Sequence, residues 1–446
     1  MNITAKRLKY PQLVILIFAL IILIGTILLM LPVSSRNEVY TPFIDALFTA
    51  TSANCITGLV VYDTYSYWSI FGQVVILILI QFGGLGFMSI ATIISLAVRR
   101  KIGLGERVLM KEAIGSSKLK GIVHMTKNLL LGTVFFEGLG TFILAFRFCP
   151  LMGFREGLYN ALFHSISAFC NAGFDLFGKY KSFSSLTAFS RDPVVCMTLA
   201  SLIVTGGIGF LVWENIIDYG LKFKKYTLHT KIVMETTVTL IILSAVLFYF
   251  IETDKSMVGM SIEEKISNSL FQAITPRTAG FNTLDLTAMS DASVFLTILL
   301  MFIGGSPGST AGGIKTTVLF LLFAAVWSSL RGKKDIEVFK KRIDDSLFKK
   351  ASTLAILYLS VAMVSIVLVL LFQDFQLSDV IFEVFSAIGT VGLTLGITPS
   401  LNVASKIVII LLMYLGRVGV FSIMFTFSHH IKDVPVRYPA EDINIA

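Results

Sequence analysis

Four glycines, Gly58, Gly173, Gly280 and Gly392, each close a short segment of apolar and small polar residues that opens on a phenylalanine. The first copy reads Phe48-Thr-Ala-Thr-Ser-Ala-Asn-Cys-Ile-Thr-Gly58 and the second Phe163-His-Ser-Ile-Ser-Ala-Phe-Cys-Asn-Ala-Gly173. The third, one residue shorter, is Phe271-Gln-Ala-Ile-Thr-Pro-Arg-Thr-Ala-Gly280, and the fourth is Phe382-Glu-Val-Phe-Ser-Ala-Ile-Gly-Thr-Val-Gly392. What these segments offer chemically is main chain. Glycine tolerates backbone angles that other residues avoid, so carbonyls beside it can turn toward a common point. Carbonyls from four equivalent segments meeting on one axis can replace the hydration shell of a cation.

A second pattern follows each of the first. It reads Gly83-Gly84-Leu85-Gly86-Phe87, Gly206-Gly207-Ile208-Gly209-Phe210, Gly304-Gly305-Ser306-Pro307 and Gly416-Arg417-Val418-Gly419-Val420, each within a following apolar span. Two patterns recurring four times in one order define an internal repeat. Apolar spans flank every copy. First helices are predicted near 11–31, 127–148, 231–251 and 351–373, and second helices near 69–98, 193–219, 293–330 and 402–429. The segment between them is too short and polar to cross a bilayer, and its length of about ten residues suits a re-entrant half-helix. Irregular backbone at membrane depth survives only when buried in protein or lining a water-filled cavity. A half-helix aims its partially negative C-terminal end at the glycine, which favours a cation there.

Composition requires lipid as the solvent for most of the chain. Of 446 residues, 55% are hydrophobic and 15% charged, and the mean hydropathy is +0.81. That leaves too few charges to cover a water-facing surface, since a soluble domain carries about a quarter. No charge occurs between Lys9 and Arg36 or between Asp63 and Arg99. The stretch from Pro11 to Pro32 is too long for the centre of a signal peptide and reads as an uncleaved first helix. The net charge of +9 sits in short connectors: Arg99, Arg100, Lys101, Arg107, Lys111, Lys118 and Lys120; Lys222, Lys224, Lys225 and Lys231; and the run from Arg331 to Lys350. This is the positive-inside pattern of cytoplasmic loops rather than a nucleic-acid surface, and it places both termini in the cytoplasm. Cys55, Cys149, Cys170 and Cys196 have no CxxC spacing, so neither a zinc site nor a redox pair is indicated. No HExxH, GxSxG or paired-carboxylate arrangement stands out, and an enzyme is not expected.

The expected fold is all-α and integral to the membrane: four helix–re-entrant pore loop–helix units around a pseudo-fourfold axis, with eight transmembrane helices. The units run over 1–100, 101–222, 223–332 and 333–430, with a C-terminal tail at 431–446. In this order, and with the quartet Gly58, Gly173, Gly280 and Gly392, the chain resembles the potassium-translocating subunits of the Ktr/Trk/HKT superfamily over nearly its whole length. The eight-helix length is most like the membrane subunit of bacterial Ktr systems. The resemblance implies a filter lined by Cys55, Ile56, Thr57 and Gly58; Cys170, Asn171, Ala172 and Gly173; Arg277, Thr278, Ala279 and Gly280; and Gly389, Thr390, Val391 and Gly392. No copy has the TVGYG run of tetrameric potassium channels, so fewer coordination sites and weaker discrimination against sodium are expected. The shorter third copy leaves its register open. The resemblance also implies a bacterial inner-membrane location, K+ as the transported ion, a homodimer, and a cytosolic ring of nucleotide-binding RCK subunits. No cofactor is expected on this chain, and Na+ is left open as an activator.

In the third unit the helix breakers Gly304, Gly305, Ser306, Pro307, Gly308, Ser309, Thr310, Ala311, Gly312 and Gly313, followed by Lys315, interrupt an apolar stretch. So many together should unwind the helix near mid-membrane. The family resemblance makes Gly304–Lys315 an intramembrane gating loop. Gly308–Gly313 has phosphate-loop spacing, but Ile314 stands where the lysine is required and the setting is a membrane helix. Arg417 lies within an apolar span, aligned with the diglycine of the other units. An ionisable residue there is functional by default, either repelling cations below the filter or donating to carbonyls of the loop. The alternative for Arg417 is a structural arginine satisfied by neighbouring backbone. Lys315 reads equally as part of the gate or as a side chain snorkelling to the interface. Glu137 sits amid apolar residues with no evident partner, and His429 and His430 read as interfacial. A secondary active transporter with a broken-helix midplane site is the competing reading. Such carriers pair inverted halves, whereas these four units share one orientation.

Overall fold

Each repeat folds as a long helix, a short helix and a second apolar helix, in that order. The structure is a computed structural model that describes residues 10–86, 103, 107, 110, 121–220, 222–419 and 441. The long helices are Tyr10–Met30, Ile122–Met152, Leu228–Glu252 and Asp345–Phe372, all long and apolar enough to cross a bilayer. Only about a third of their apolar windows is buried (28–33%), so they present their other faces to lipid. Phe135, Phe142, Phe146, Phe250 and Leu371 lie on those outer faces. The short helices are Phe43–Asn54, Phe154–Phe169, Ile262–Ile274 and Leu377–Gly389. They are the inside of the molecule: the opening phenylalanines Phe48, Phe163, Phe271 and Phe382 are all fully buried.

The second helices differ from the sequence expectation. Apolar continuity predicts helices over 69–98, 193–219 and 402–429, and the clustered helix breakers predict a break in the third unit alone. In the structure the second unit's span breaks between Pro193–Gly207 and Phe210–Tyr219, turning the chain by 95°. Ile70–Leu85 ends at Gly86 and Val403–Val418 ends at Gly419. The common cause is the last glycine of the repeated pattern. Gly86, Gly209 and Gly419 have φ of 73°, 94° and 91°, which glycine adopts freely and which a right-handed helix cannot continue through. The third unit stops at Phe302 and resumes at Thr316, as its breakers require. Residues 87–98 and 420–429, with His429 and His430, and the tail after 431 apart from Glu441, lie outside the described residues. So does most of the basic stretch 99–120. The third basic connector contains a small antiparallel hairpin, Ile336–Val338 with Lys341–Ile343, that no sequence pattern signalled.

The four units close into a ring. Lys406, on the last second helix, forms an ion pair of 2.6 Å with Asp45 at the start of the first short helix, and Tyr62 donates to the other carboxylate oxygen at 2.7 Å. Both charged side chains are nearly buried, so the pair ties the chain's last unit to its first.

Candidate functional site

The four glycines meet. A Cβ built on Gly58 would lie 2.7 Å from the Ala172 carbonyl oxygen; on Gly173, 2.9 Å from that of Ala279; on Gly280, 2.4 Å from that of Val391; and on Gly392, 2.1 Å from that of Thr57. Each glycine therefore faces the carbonyl before the next glycine, in cyclic order through all four units. The backbone repeats as well. Ile56, Asn171, Thr278 and Thr390 are left-handed at φ 52°, 58°, 74° and 52°, and the glycines two residues on are also at positive φ. Alternation of ordinary and left-handed residues turns successive carbonyls, and strain at non-glycine residues of this kind clusters at functional sites. All sixteen residues expected in the filter are buried together at the ends of the short helices, whose negative dipole ends converge there.

A hydroxyl four residues after each opening phenylalanine holds the return of the chain: Ser52, Ser167, Thr275 and Ser386. Gly58 and Gly392 donate their N–H groups to Ser52 and Ser386 Oγ at 3.1 and 3.0 Å. Ser167 and Thr275 instead donate to the carbonyls of Phe174 and Phe281 at 2.7 and 2.5 Å. The third copy keeps the register of the others. Thr57, Ala172 and Val391 donate to carbonyls five residues back, whereas Ala279 donates to Thr275, four back, so the missing residue is absorbed in the turn before Arg277. The Arg277 guanidinium turns away from the glycine ring to Thr237 Oγ1 at 3.4 Å.

Against the four-glycine ring lies the loop 303–315. It is docked on the broken second helix of unit two: Ser306 and Thr310 donate to the carbonyls of Gly207 and Gly206, and Phe210 donates to that of Gly308. Gly312 and Gly313 lie against the fourth glycine segment, where added Cβ atoms would come 2.1 Å from Thr390 Oγ1 and 3.0 Å from the Gly389 carbonyl. Arg417 donates to the carbonyl of Thr310 and to those of Gly83 and Gly84. Lys315 folds back on the loop, donating to the carbonyls of Ala311 and Gly312 at 2.8 and 3.4 Å. The first glycine of the diglycine pattern has a packing role. On Gly83, Gly206 and Gly416 a Cβ would lie within 2.2 Å of the carbonyls of Asn54, Phe169 and Ile388, so only glycine lets the second helix approach the short helix.

The comparisons with known proteins cover the same length. Residues 9–434 match TrkH, a cation transport protein family. The chain is 39% identical to the potassium/sodium uptake protein NtpJ of Enterococcus hirae, over 98% of this chain and 97% of that one. It is 39% identical to the Ktr system potassium uptake protein B of Bacillus subtilis with the same coverage, and 34% identical to protein D of that system over 99% and 98%. The crystal structure of the potassium transporter TrkH from Vibrio parahaemolyticus superposes with a TM-score of 0.76 at 18% identity, covering 96% of this chain and 87% of that one, a likeness of fold. This chain belongs to the TrkH cation transport family.

As a TrkH-family chain it is a multi-pass membrane protein, and its candidate cation donors are carbonyls. Among the described residues no group of three or more His, Cys, Asp or Glu side chains gathers to hold a metal. Two features of this TrkH-family chain escaped the sequence. Glu137 has a partner: Gln81 Nε2 donates to both its oxygens at 3.1 Å, and Cys170 of the filter donates to Gln81 Oε1 at 3.4 Å. Gln81, one of two amides with Gln73 in a charge-free span, was the available signal, since polar groups in membranes seek one another. The second is the wedge of Thr390 against Gly312, for which no sequence signal exists.

Proposed function

We propose that this chain is the potassium-translocating subunit of a bacterial K+ uptake system, with channel-like flux through a filter of backbone carbonyls from four re-entrant loops. The observation that carries the reading is the cyclic contact of Gly58, Gly173, Gly280 and Gly392, each against the carbonyl before the next. Carbonyls so arranged substitute for water around a dehydrated cation without a fixed carboxylate that would hold it too tightly. The names of NtpJ and of the Ktr proteins B and D support potassium as the ion. The eight spans cross the inner membrane with both termini in the cytoplasm, following the basic connectors.

The loop 304–315 is the gate. It lies below the filter, is held by main-chain bonds to unit two and by Arg417, and has enough glycine to change course. In the same proposal two copies of the chain assemble, and a cytosolic ring of RCK-type nucleotide-binding subunits acts on the loop. The Ktr relatives are named as parts of a system, which suits a separate regulator. Na+ enters as an activator in the same scheme.

Rubidium uptake in a host lacking its own potassium uptake tests this. Wild type is compared with Gly280→Ser and with residues 304–313 deleted, each with and without a ring partner. Wild type should support uptake, the glycine change should alter cation preference, and the deletion should raise unregulated flux. No uptake by wild type in any combination would sink the assignment, and a cation preference indifferent to Gly280 would sink the filter.

A further inference from the structure

The residue after the opening phenylalanine of each repeat is polar in all four copies and different in each: Thr49, His164, Gln272 and Glu383. All four are buried behind the filter. Thr49 bonds back to its own helix, donating to the Asp45 carbonyl at 2.9 Å. Neither polar end of Gln272 meets a hydrogen-bond partner among the described residues. In the other two units the side chain reaches the segment that leaves the filter. His164 Nε2 accepts the N–H of Leu176 at 3.2 Å while Nδ1 donates to the Asn160 carbonyl at 2.7 Å. Glu383 accepts from Thr394 Oγ1 at 2.7 Å through one oxygen and from Thr398 Oγ1 at 2.5 Å through the other. The Thr394 hydroxyl in turn accepts the N–H of Gly396 at 3.0 Å.

Units two and four are neighbours of units one and three in the glycine ring but not of each other. This position therefore staples the exits of two opposite units, whereas in units one and three the exit is tied back by other residues, Tyr62 on Asp45 and Thr275 on the Phe281 carbonyl. Glu383 makes the stronger staple: a carboxylate bound to two hydroxyls is a pair of charge-assisted bonds in a site closed to water. Thr394 is two residues beyond Gly392, so the staple fixes the chain immediately outside the Val391 and Gly392 carbonyls.

We infer that Glu383 is a positioning residue that sets the filter's preference among monovalent cations, by fixing the outer carbonyls of unit four through Thr394 and Thr398. The inference rests on the filter reading above. A carbonyl cage discriminates between K+ and Na+ through the position and freedom of its oxygens, so loosening one wall should lower selectivity before it lowers throughput. Glu383→Gln leaves one acceptor and no charge. Thr398→Val leaves the carboxylate and removes one of its donors. Glu383→Asp keeps the charge on a shorter arm. Gln272→Leu removes the equivalent amide in unit three, which staples nothing.

The test is competitive uptake of rubidium and sodium by the full-length protein in the deficient host, read as the ratio of the two rates and so independent of how much protein reaches the membrane. Glu383→Gln and Thr398→Val should each lower the rubidium preference by about tenfold, the change that ~1.4 kcal/mol of lost discrimination produces. Glu383→Asp should fall between them and wild type. Gln272→Leu should stay within about twofold, as expected of an independent site. Should Glu383→Gln fail to accumulate, Thr398→Val and Glu383→Asp decide. A ratio unmoved in the variants that transport, with wild-type uptake intact, overturns this inference and leaves the filter standing. No rubidium uptake by wild type overturns the filter reading and this inference with it.

Discussion

Arg417 reaches from the last helix to the main-chain carbonyl of Thr310, in the middle of the intramembrane loop of the preceding unit. The same guanidinium also donates to the carbonyls of Gly83 and Gly84 in the first unit. One side chain thereby joins three of the four units at the level where every second helix stops. Of the roles its position allowed, the geometry displays donation to the loop and to neighbouring backbone. Gly83 and Gly84 lie in the last turn of the helix Ile70–Leu85, whose final carbonyls have no partner within the helix.

Loss of those bonds should free the loop. A hydrogen bond to a charged group contributes about 1.5–3 kcal/mol, so Arg417→Gln should raise rubidium uptake in the absence of any regulator by roughly tenfold or more. Arg417→Lys keeps the charge but cannot reach Thr310 and the diglycine at once. An uptake by the lysine variant close to that of the glutamine variant assigns the effect to the lost bonds. An uptake close to wild type assigns it to the charge.

The filter glycines should not be equally sensitive. All are at positive φ, where a side chain costs about 1–2 kcal/mol, but the space differs. Added Cβ atoms would stand 2.1 Å from carbonyl oxygen at Gly392, 2.4 Å at Gly280, 2.7 Å at Gly58 and 2.9 Å at Gly173. Alanine substitutions should reduce rubidium-over-sodium preference in that order, with Gly173→Ala the mildest. Competitive uptake measured on the four single variants checks the ranking, and Gly173→Ala as the most damaging change would contradict it.

The ring itself was legible because the repeat places a glycine, a hydroxyl and a phenylalanine at fixed offsets, and those offsets survive as geometry. Even the short third copy reveals its deficit as a turn between Thr275 and Ala279 rather than a shifted filter. The stop at Gly209 was hidden for a different reason. Gly206-Gly-Ile-Gly lies in an unbroken apolar run, and apolarity reports the solvent around a helix rather than its continuity. The positive φ of Gly209 breaks the helix, and the docked loop, whose Gly308 carbonyl takes the Phe210 N–H, holds the bend. The Asp45–Lys406 pair spans nearly the whole chain, and no local pattern encodes a contact at that separation.

That pair makes a stability prediction. Removing one member of a buried ion pair leaves the other charge unpaired and costs about 3–5 kcal/mol. Lys406→Met should lower the melting temperature of the purified protein in detergent markedly, and Asp45→Asn should do likewise, with Tyr62 also losing its charged acceptor. The double variant should be less destabilised than the sum of the two. Strict additivity would mean that the pair does not close the ring energetically.

Filter and loop should also be coupled through one contact. Thr390 is left-handed within the filter of unit four, and its side chain lies over Gly312, where an added Cβ would be 2.1 Å from Oγ1 and 3.0 Å from Cγ2. The Thr390 hydroxyl has no hydrogen-bond partner among the described residues, so steric contact is what it offers the loop. Gly312→Ala should therefore displace either the loop or the filter wall, changing both unregulated uptake and the rubidium-to-sodium ratio. Thr390→Ala removes the two nearest of the three atoms that the new methyl would meet, leaving only Cβ at 3.1 Å. Combined with Gly312→Ala it should restore much of the ratio, with a coupling energy in the range of about 0.5–3 kcal/mol found for residues in contact. Thr390→Ser, which keeps the hydroxyl, should restore less. If the two alanine changes prove additive in both readouts, the filter and the loop respond independently, and motion of the loop must reach the ion path by a route other than Thr390.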